Sequence, residues 1–261
     1  MVRAEELTSP ANPLLKEVRR AVARGGRTRE GCCVAETFHL LDEALRSGCA
    51  IGAVVAAESA RRAVEGRLPG DVRLVVVRDS LFRSLSDTEA SQGVMALVRP
   101  PEWEFRQLLA APPLVVVLDG VQDPGNAGTI IRAAEAFGAT GLVFVKGAVS
   151  PYNPKAVRAS AGSVFRVPLI TGIEPAPARE ELRHRGLHLY AAAPAAETSL
   201  EDAALTRPCA FVIGSEGRGV GPEWLDGATG LRIPTSGVES LNAAMAATIL
   251  LYEARRQRAC V

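Results

Sequence analysis

Little in this 261-residue chain suits a membrane, secreted or metal-binding protein. No stretch approaches the roughly 18 consecutive apolar residues of a membrane span, and the N-terminus MVRAEELTSP lacks the apolar stretch of a signal peptide. Cysteine is sparse and unpatterned: Cys32 and Cys33 are adjacent, while Cys49, Cys209 and Cys260 stand alone. No C-x-x-C or Cys/His pair has metal-ligand spacing, and His39, His184 and His188 have no convincing partners. We read reduced thiols, non-ligating histidines, no metal and a cytoplasmic address. Excess charge is also absent: 30 basic against 29 acidic side chains, with 48% apolar residues, exclude a disordered polyelectrolyte and support one large or two modest folded domains.

Position carries what net charge hides. Only Lys16, Lys146 and Lys155 are lysines; arginine supplies the other basic residues. Lys16, Arg19, Arg20, Arg24, Arg27 and Arg29 are opposed locally by Glu17 alone, and Lys146, Lys155, Arg158 and Arg166 by no acid. Such clusters suit a polyanion. Solvated helix faces are the alternative.

The first hundred residues read as a small α/β unit. Helices are expected over 12–24 and 37–47, and short strands over 32–34, 50–56, 72–77 and 93–98. PPEWEFRQLLAAPP, bracketed by proline pairs, reads as a boundary. Expected domains are therefore 1–105 and 114–261, with a linker over 106–113. Beyond it the grammar changes. Leu114–Leu118 (LVVVL) is a continuous apolar run, as in a strand buried on both faces. A helix over 129–137 and strands over 141–145, 187–193, 210–213 and 231–233 follow, then an alanine-rich helix over 240–257. Alternating strands and helices argue for a mostly parallel sheet.

Three turns carry the chemistry. Asn126-x-Gly128-x-x-x-Arg132 follows the LVVVL strand; a turn running into a helix N-terminus offers N–H groups to an anion or nucleotide. It matches neither the dinucleotide nor the P-loop fingerprint. A capping Asn and a surface Arg are the plain alternative. VIGSEGRGV (212–220) runs from strand into a glycine-rich turn containing Gly214 and Glu216. IPTSGVESLN (233–242) leads into the final helix, with Ser240 as the expected cap and Asn242 in the first turn.

Together these segments resemble the SpoU/TrmH family of RNA 2′-O-methyltransferases, in the SPOUT superfamily. The N-x-G-x-x-x-R, G-[SA]-E-G and I-P-…-S-L-N motifs occur in order over residues 114 to 258, and YNPKAVRASAGSVFRVP (152–168) also looks like the family. TSPANPLLKEV and SDTEASQGVMALV resemble the substrate-binding domain that many members carry, a small α/β fold related to RNA-binding ribosomal proteins. The resemblance implies a C-terminal trefoil knot on a parallel sheet, S-adenosylmethionine as cofactor, and a homodimer whose active site draws on both chains. It implies that Gly214, Ile233, Leu241 and Ala192 hold the cofactor, and that Asn126, Arg132, Glu216, Ser240 and Asn242 form the polar catalytic set. Arg132 matches the family's proposed activator of the ribose 2′-hydroxyl; a guanidinium resists deprotonation, so base and alkoxide stabiliser both stay open. Two departures stand out. Thr235 replaces a usual Met and Gly237 lies one residue nearer Ser240 than usual; Ala192 and Ala193 stand where many members carry a polar residue.

The expected function is methylation of a ribose 2′-hydroxyl in structured RNA, with 23S ribosomal RNA favoured. Lys16, Arg19, Arg20, Arg24 and Arg158 are the candidate RNA contacts. The alternatives are a transfer RNA 2′-O-methyltransferase, a non-catalytic RNA-binding protein retaining the fold, and an α/β enzyme for another nucleotide.

Overall fold

The structure, a computed structural model, describes residues 4–110 and 112–259; Cys260 lies outside them. The chain divides into two compact units, Met1–Pro101 with Tyr152–Arg166, and Glu102–Pro151 with Val167–Val261.

The first unit contains β1 (Ala4–Glu6), α1 (Pro13–Arg24), β2 (Cys33–Glu36), α2 (Phe38–Arg46), β3 (Ala50–Ala57), α3 (Arg61–Glu65), β4 (Leu74–Val77), α4 (Asp79–Arg83) and β5 (Val94–Arg99). Its sheet runs β1-β4-β3-β5-β2, parallel from β1 to β3 and antiparallel where β5 joins β3 and β2. The local reasons for α1 are plain. The Asn12 carboxamide accepts from Leu14 N–H at 2.9 Å, Pro13 opens the first turn, and Gly25 closes the helix at φ 63°. Leu15, Val18 and Ala21 form the buried stripe.

The remaining elements are β6 (Leu114–Asp119), α5 (Pro124–Phe137), β7 (Gly141–Val145), α6 (Pro154–Ala159), β8 (Leu169–Ile173), α7 (Pro175–His184), β9 (His188–Ala192), β10 (Thr198–Ser199), β11 (Cys209–Gly214), α8 (Pro222–Leu225), β12 (Thr229–Arg232) and α9 (Ala243–Arg258). Seven strands of the second unit pair in parallel throughout, in the order β10-β12-β9-β11-β6-β7-β8. Val115 and Val117 enter a core with Val143, Val212, Leu182 and Trp224, while Leu114, Val116 and Leu118 are equally buried. The LVVVL strand is thus covered on both faces, as a continuous apolar run requires. No helix among the described residues is long and apolar enough to cross a membrane.

Two segments depart from expectation. The proline-bracketed stretch is not a free linker: Phe105–Leu109 form a 3-10 turn, Leu108 is fully buried in the second unit, and its carbonyl accepts from Thr140 Oγ1 at 2.5 Å. Tyr152–Arg166, expected inside the second domain, groups with the first. Its α6 packs on β2, the Tyr152 ring lies 4.6 Å beneath the Arg27 guanidinium, and Arg166 Nη1 donates to Glu43 Oε2 at 2.5 Å.

Arg258 ends α9 and fastens two passages of the second unit, 112–113 and 205–207. Its guanidinium donates to the carbonyls of Leu205 (2.8 Å), Pro112 (2.8 Å), Pro113 (3.0 Å) and Arg207 (2.8 Å). Arg258→Ala leaves four carbonyls without that donor and is expected to destabilise the protein by about 2–4 kcal/mol. Urea unfolding checks this; a loss below about 0.5 kcal/mol shows that water replaces the clamp.

Candidate active site

The N-terminal caps set the geometry. Pro124 opens α5 and Asp123 caps it, its carboxylate accepting from Asn126 N–H at 2.7 Å. Asn126 therefore sits inside the first turn rather than in a preceding loop. The helix begins five residues earlier than expected because an Asp-Pro start tolerates Gly125 and Gly128, which by propensity alone read as turn. At α9 the expectation is also corrected. Asn242, not Ser240, is the cap: its Oδ1 accepts from Ala244 N–H at 2.9 Å and Met245 N–H at 3.2 Å.

That cap orients a polar chain. With its oxygen committed to the helix, Asn242 can only donate outward, and its Nδ2 reaches Asn126 Oδ1 at 3.0 Å. Asn126 in turn donates from Nδ2 to Glu216 Oε1 at 2.7 Å. Each amide is fixed by the one before it, so the α9 N-terminus dictates the orientation of all three groups. Residues 116 and 90 positions apart in the chain thus meet as a single hydrogen-bonded file.

Beside it lies a cavity of about 290 Å³ at the C-terminal ends of β9, β11 and β12. Gly214, Ile233, Leu241 and Ala192 line it, as do Glu216 and Ser240. Thr235 and Glu239, which sequence reasoning did not select, line it too. Gly214 is indispensable to the shape: a Cβ built there would stand 2.0 Å from the Gly219 carbonyl carbon, because the 215–219 turn folds back with Ser215 and Gly219 bonded both ways at 3.1 and 2.9 Å. Asp119 was also missed. From the end of β6 its Oδ2 accepts from Gly221 N–H at 2.7 Å and pins the far side of that turn. The signal was a lone acid closing an apolar strand, which ordinary turns share.

Arg132 is not among the cavity's lining residues. It is exposed on α5, and no hydrogen bond or ion pair holds its guanidinium among the described residues. Of the candidate RNA contacts, Lys16, Arg19 and Arg24 on α1 likewise carry no ion pair, whereas Arg20 pairs with Glu17 at 2.6 Å. Arg158 is spoken for: it donates to Asp87 at 3.1 Å and lies 3.7 Å from the buried Glu36 carboxylate. Lys146 is paired with Glu174 at 2.5 Å. Three of the four members of the second basic cluster, Lys146, Arg158 and Arg166, are thus paired, because the fold supplies acids that the local sequence lacks. No group of three or more His, Cys, Asp or Glu residues able to hold a metal occurs among the described residues.

The profile of the SpoU rRNA Methylase family matches residues 113–252, and that of the MRM3-like substrate binding domain matches residues 12–96. The chain belongs to the SpoU rRNA methylase family. The 23S rRNA (guanosine(2553)-2′-O)-methyltransferase RlmP of Bacillus subtilis is 30% identical over 96% of this chain and 99% of its own length. The solved SpoU methyltransferase AviRb of Streptomyces viridochromogenes, in complex with AdoMet, superposes with a TM-score of 0.84 at 28% identity, over 95% of this chain and 98% of that one. A structure of 2-OH methylation of C/U34 on tRNA is 32% identical with a TM-score of 0.53, but covers only 58% of this chain and 100% of its own. The chain is an RNA 2′-O-ribose methyltransferase of the SpoU family, and its cofactor is S-adenosylmethionine.

The cavity suits a SpoU cofactor on its own terms. Its volume is at the small end for ligand pockets, as fits a compact folded nucleoside. Ile213, Leu231, Ile233 and Leu241 offer apolar walls, the Gly214 backbone allows close approach, and Glu216 and Glu239 complement a sulfonium charge. At the C-terminal end of β9, Ala192 and Ala193 carry no polar side-chain atom, so any polar recognition there would fall to backbone groups.

Proposed function

We propose that this protein methylates a ribose 2′-hydroxyl of 23S ribosomal RNA in the cytoplasm, with the cofactor held by Gly214, Ile233, Leu241 and Ala192. The observation that carries the reading is the Asn242–Asn126–Glu216 file against the cavity wall. The near-complete coverage of RlmP, against partial coverage of the tRNA structure, supports ribosomal RNA. When bound, the cofactor supplies an electrophilic methyl carbon. The protein's own residues do the rest. The amide file holds Glu216 rigid, Ser240 offers a hydroxyl to the cavity, and Arg132 stabilises the ribose oxygen as its proton passes to a substrate phosphate or water. Mapping ribose methylation in ribosomal RNA from cells with and without the protein tests it. Unchanged 23S ribosomal RNA together with a lost transfer RNA methyl group would overturn the substrate.

The active unit is a homodimer in this reading, with the implied knot at each cofactor loop. Arg132 lies away from its own cavity, on the exposed Thr129–Arg132–Ala136 face of α5. Alongside, α9 exposes Met245 and Tyr252, each 56% accessible. A second copy seated on these faces buries both apolar side chains and brings Arg132 to the partner's cavity. Tyr252→Arg is expected to yield monomers in sedimentation with activity lost; a fully active monomer refutes the arrangement.

RNA docking falls to the first unit, where α1 carries Lys16, Arg19 and Arg24 outside its buried stripe. Arg19→Glu with Arg24→Glu is expected to weaken RNA binding by at least about tenfold and to flatten the salt dependence by about two phosphate contacts. Unchanged affinity and slope would place the RNA surface elsewhere.

A further inference from the structure

The second unit has a second concavity, of about 330 Å³, that the methyl-transfer reading leaves unused. It lies at the N-terminal ends of β9 and β11, four residues along β9 from Ala192 and so about 13 Å from the cofactor cavity. Arg183, Arg207 and His188 line it, and no acidic residue does. Neither arginine is neutralised among the described residues. Arg183 carries no hydrogen bond or ion pair, and Arg207 donates only to the Tyr190 hydroxyl at 3.1 Å. The neighbouring Asp226 is engaged by Arg179 at 3.3 Å.

The pocket is shaped around these cations. The Arg183 guanidinium lies against Gly227, where a Cβ would meet Nη1 at 2.7 Å and Cζ at 3.0 Å; the arginine tip could swing away from such a group, and it is the φ of +76° that calls for glycine there. His188 packs edge-on to Tyr190 with centroids 4.6 Å apart, and its Nε2 is 2.8 Å from Thr229 Oγ1. Burial first, then the Arg207 cation, hold its imidazole below the ordinary histidine range. Two guanidinium forks facing one concavity without a counter-charge form the chemistry that grips a tetrahedral oxyanion.

The geometry points to a phosphate-binding subsite formed by Arg183, Arg207 and His188 at the N-terminal ends of β9 and β11, the end of the sheet remote from the cofactor cavity. It stands independently of the methyl-transfer reading. It takes a phosphate oxyanion, either a phosphodiester of bound RNA or free inorganic phosphate.

The full chain carries three histidines, so imidazole proton NMR reads the site directly. Inorganic phosphate titrated at constant ionic strength, with chloride as the balancing anion, is expected to move the His188 resonance saturably, with half-saturation on the order of 1 mM, while His39 stays still. Arg207→Gln and Arg183→Gln are each expected to weaken that response about tenfold at an unchanged melting temperature. Arg183→Gln is the cleaner variant because that side chain bonds to nothing in the fold. A short oligoribonucleotide that displaces phosphate from His188 assigns the site to the RNA backbone; failure to compete assigns it to the free anion. A His188 response that does not saturate, or that both variants retain in full, overturns the proposal.

Discussion

Arg132→Ala is expected to lower the turnover of methyl transfer by roughly 10²–10³-fold, with cofactor affinity and unfolding free energy unchanged. Stability should be indifferent because the side chain is exposed and holds no partner within the described chain. Cofactor affinity should be indifferent because Arg132 does not line its own chain's cavity and, in the proposed dimer, meets the reacting oxygen rather than the walls that hold the cofactor. What remains is its effect on the reacting oxygen. A base role is disfavoured by magnitude: deprotonating a guanidinium near neutrality costs about 7 kcal/mol or more, as much as the whole of a modest catalytic effect. Stabilising a developing alkoxide needs no such step. Arg132→Lys then separates charge from fork; partial turnover is expected, since the ammonium keeps the charge and loses the planar donor pair. Turnover of the alanine variant within about threefold of wild type would remove Arg132 from the reaction.

How much of this was written locally in the chain differs element by element. Apolar periodicity placed Gly141–Val145 at its observed bounds, and both amphipathic helices of the first unit within a residue. β8 escaped because LITGI is only half-buried and carries a glycine; α6 and α7 open on prolines that look like breakers yet are first-turn residues. Charge was legible only along the chain, so Arg158 looked free until Asp87 and Glu36 came from other segments. The site divided in the same way. The motif residues Asn126, Glu216 and Asn242 could be named in advance, but which of them caps a helix, and hence which way each amide points, depends on contacts across 90 and 116 residues. Asp119 carries no motif at all. It acts through backbone, on Gly221 N–H at 2.7 Å, and such a partner has no sequence signature.

Gly214→Ala is expected to weaken S-adenosylmethionine binding by at least about 100-fold and to lower stability by about 2–4 kcal/mol. The new methyl group runs into the Gly219–Val220 peptide unit, 2.0 Å from the Gly219 carbonyl carbon and 2.2 Å from both its oxygen and Val220 N. No side chain can swing away, so the 215–219 turn must open, and with it the paired bonds between Ser215 and Gly219. Opening displaces Glu216 from Asn126 and shifts the cavity wall that Gly214, Ser215 and Gly219 share. Gly217→Ala is the matched control: it lies in the same turn, has nothing within 4 Å of its added Cβ, and should bind the cofactor as wild type does. Calorimetric titration of the three proteins decides the matter. If both alanine variants bind alike, the turn is pliable, and the folded-back glycine loop is not what holds the cofactor.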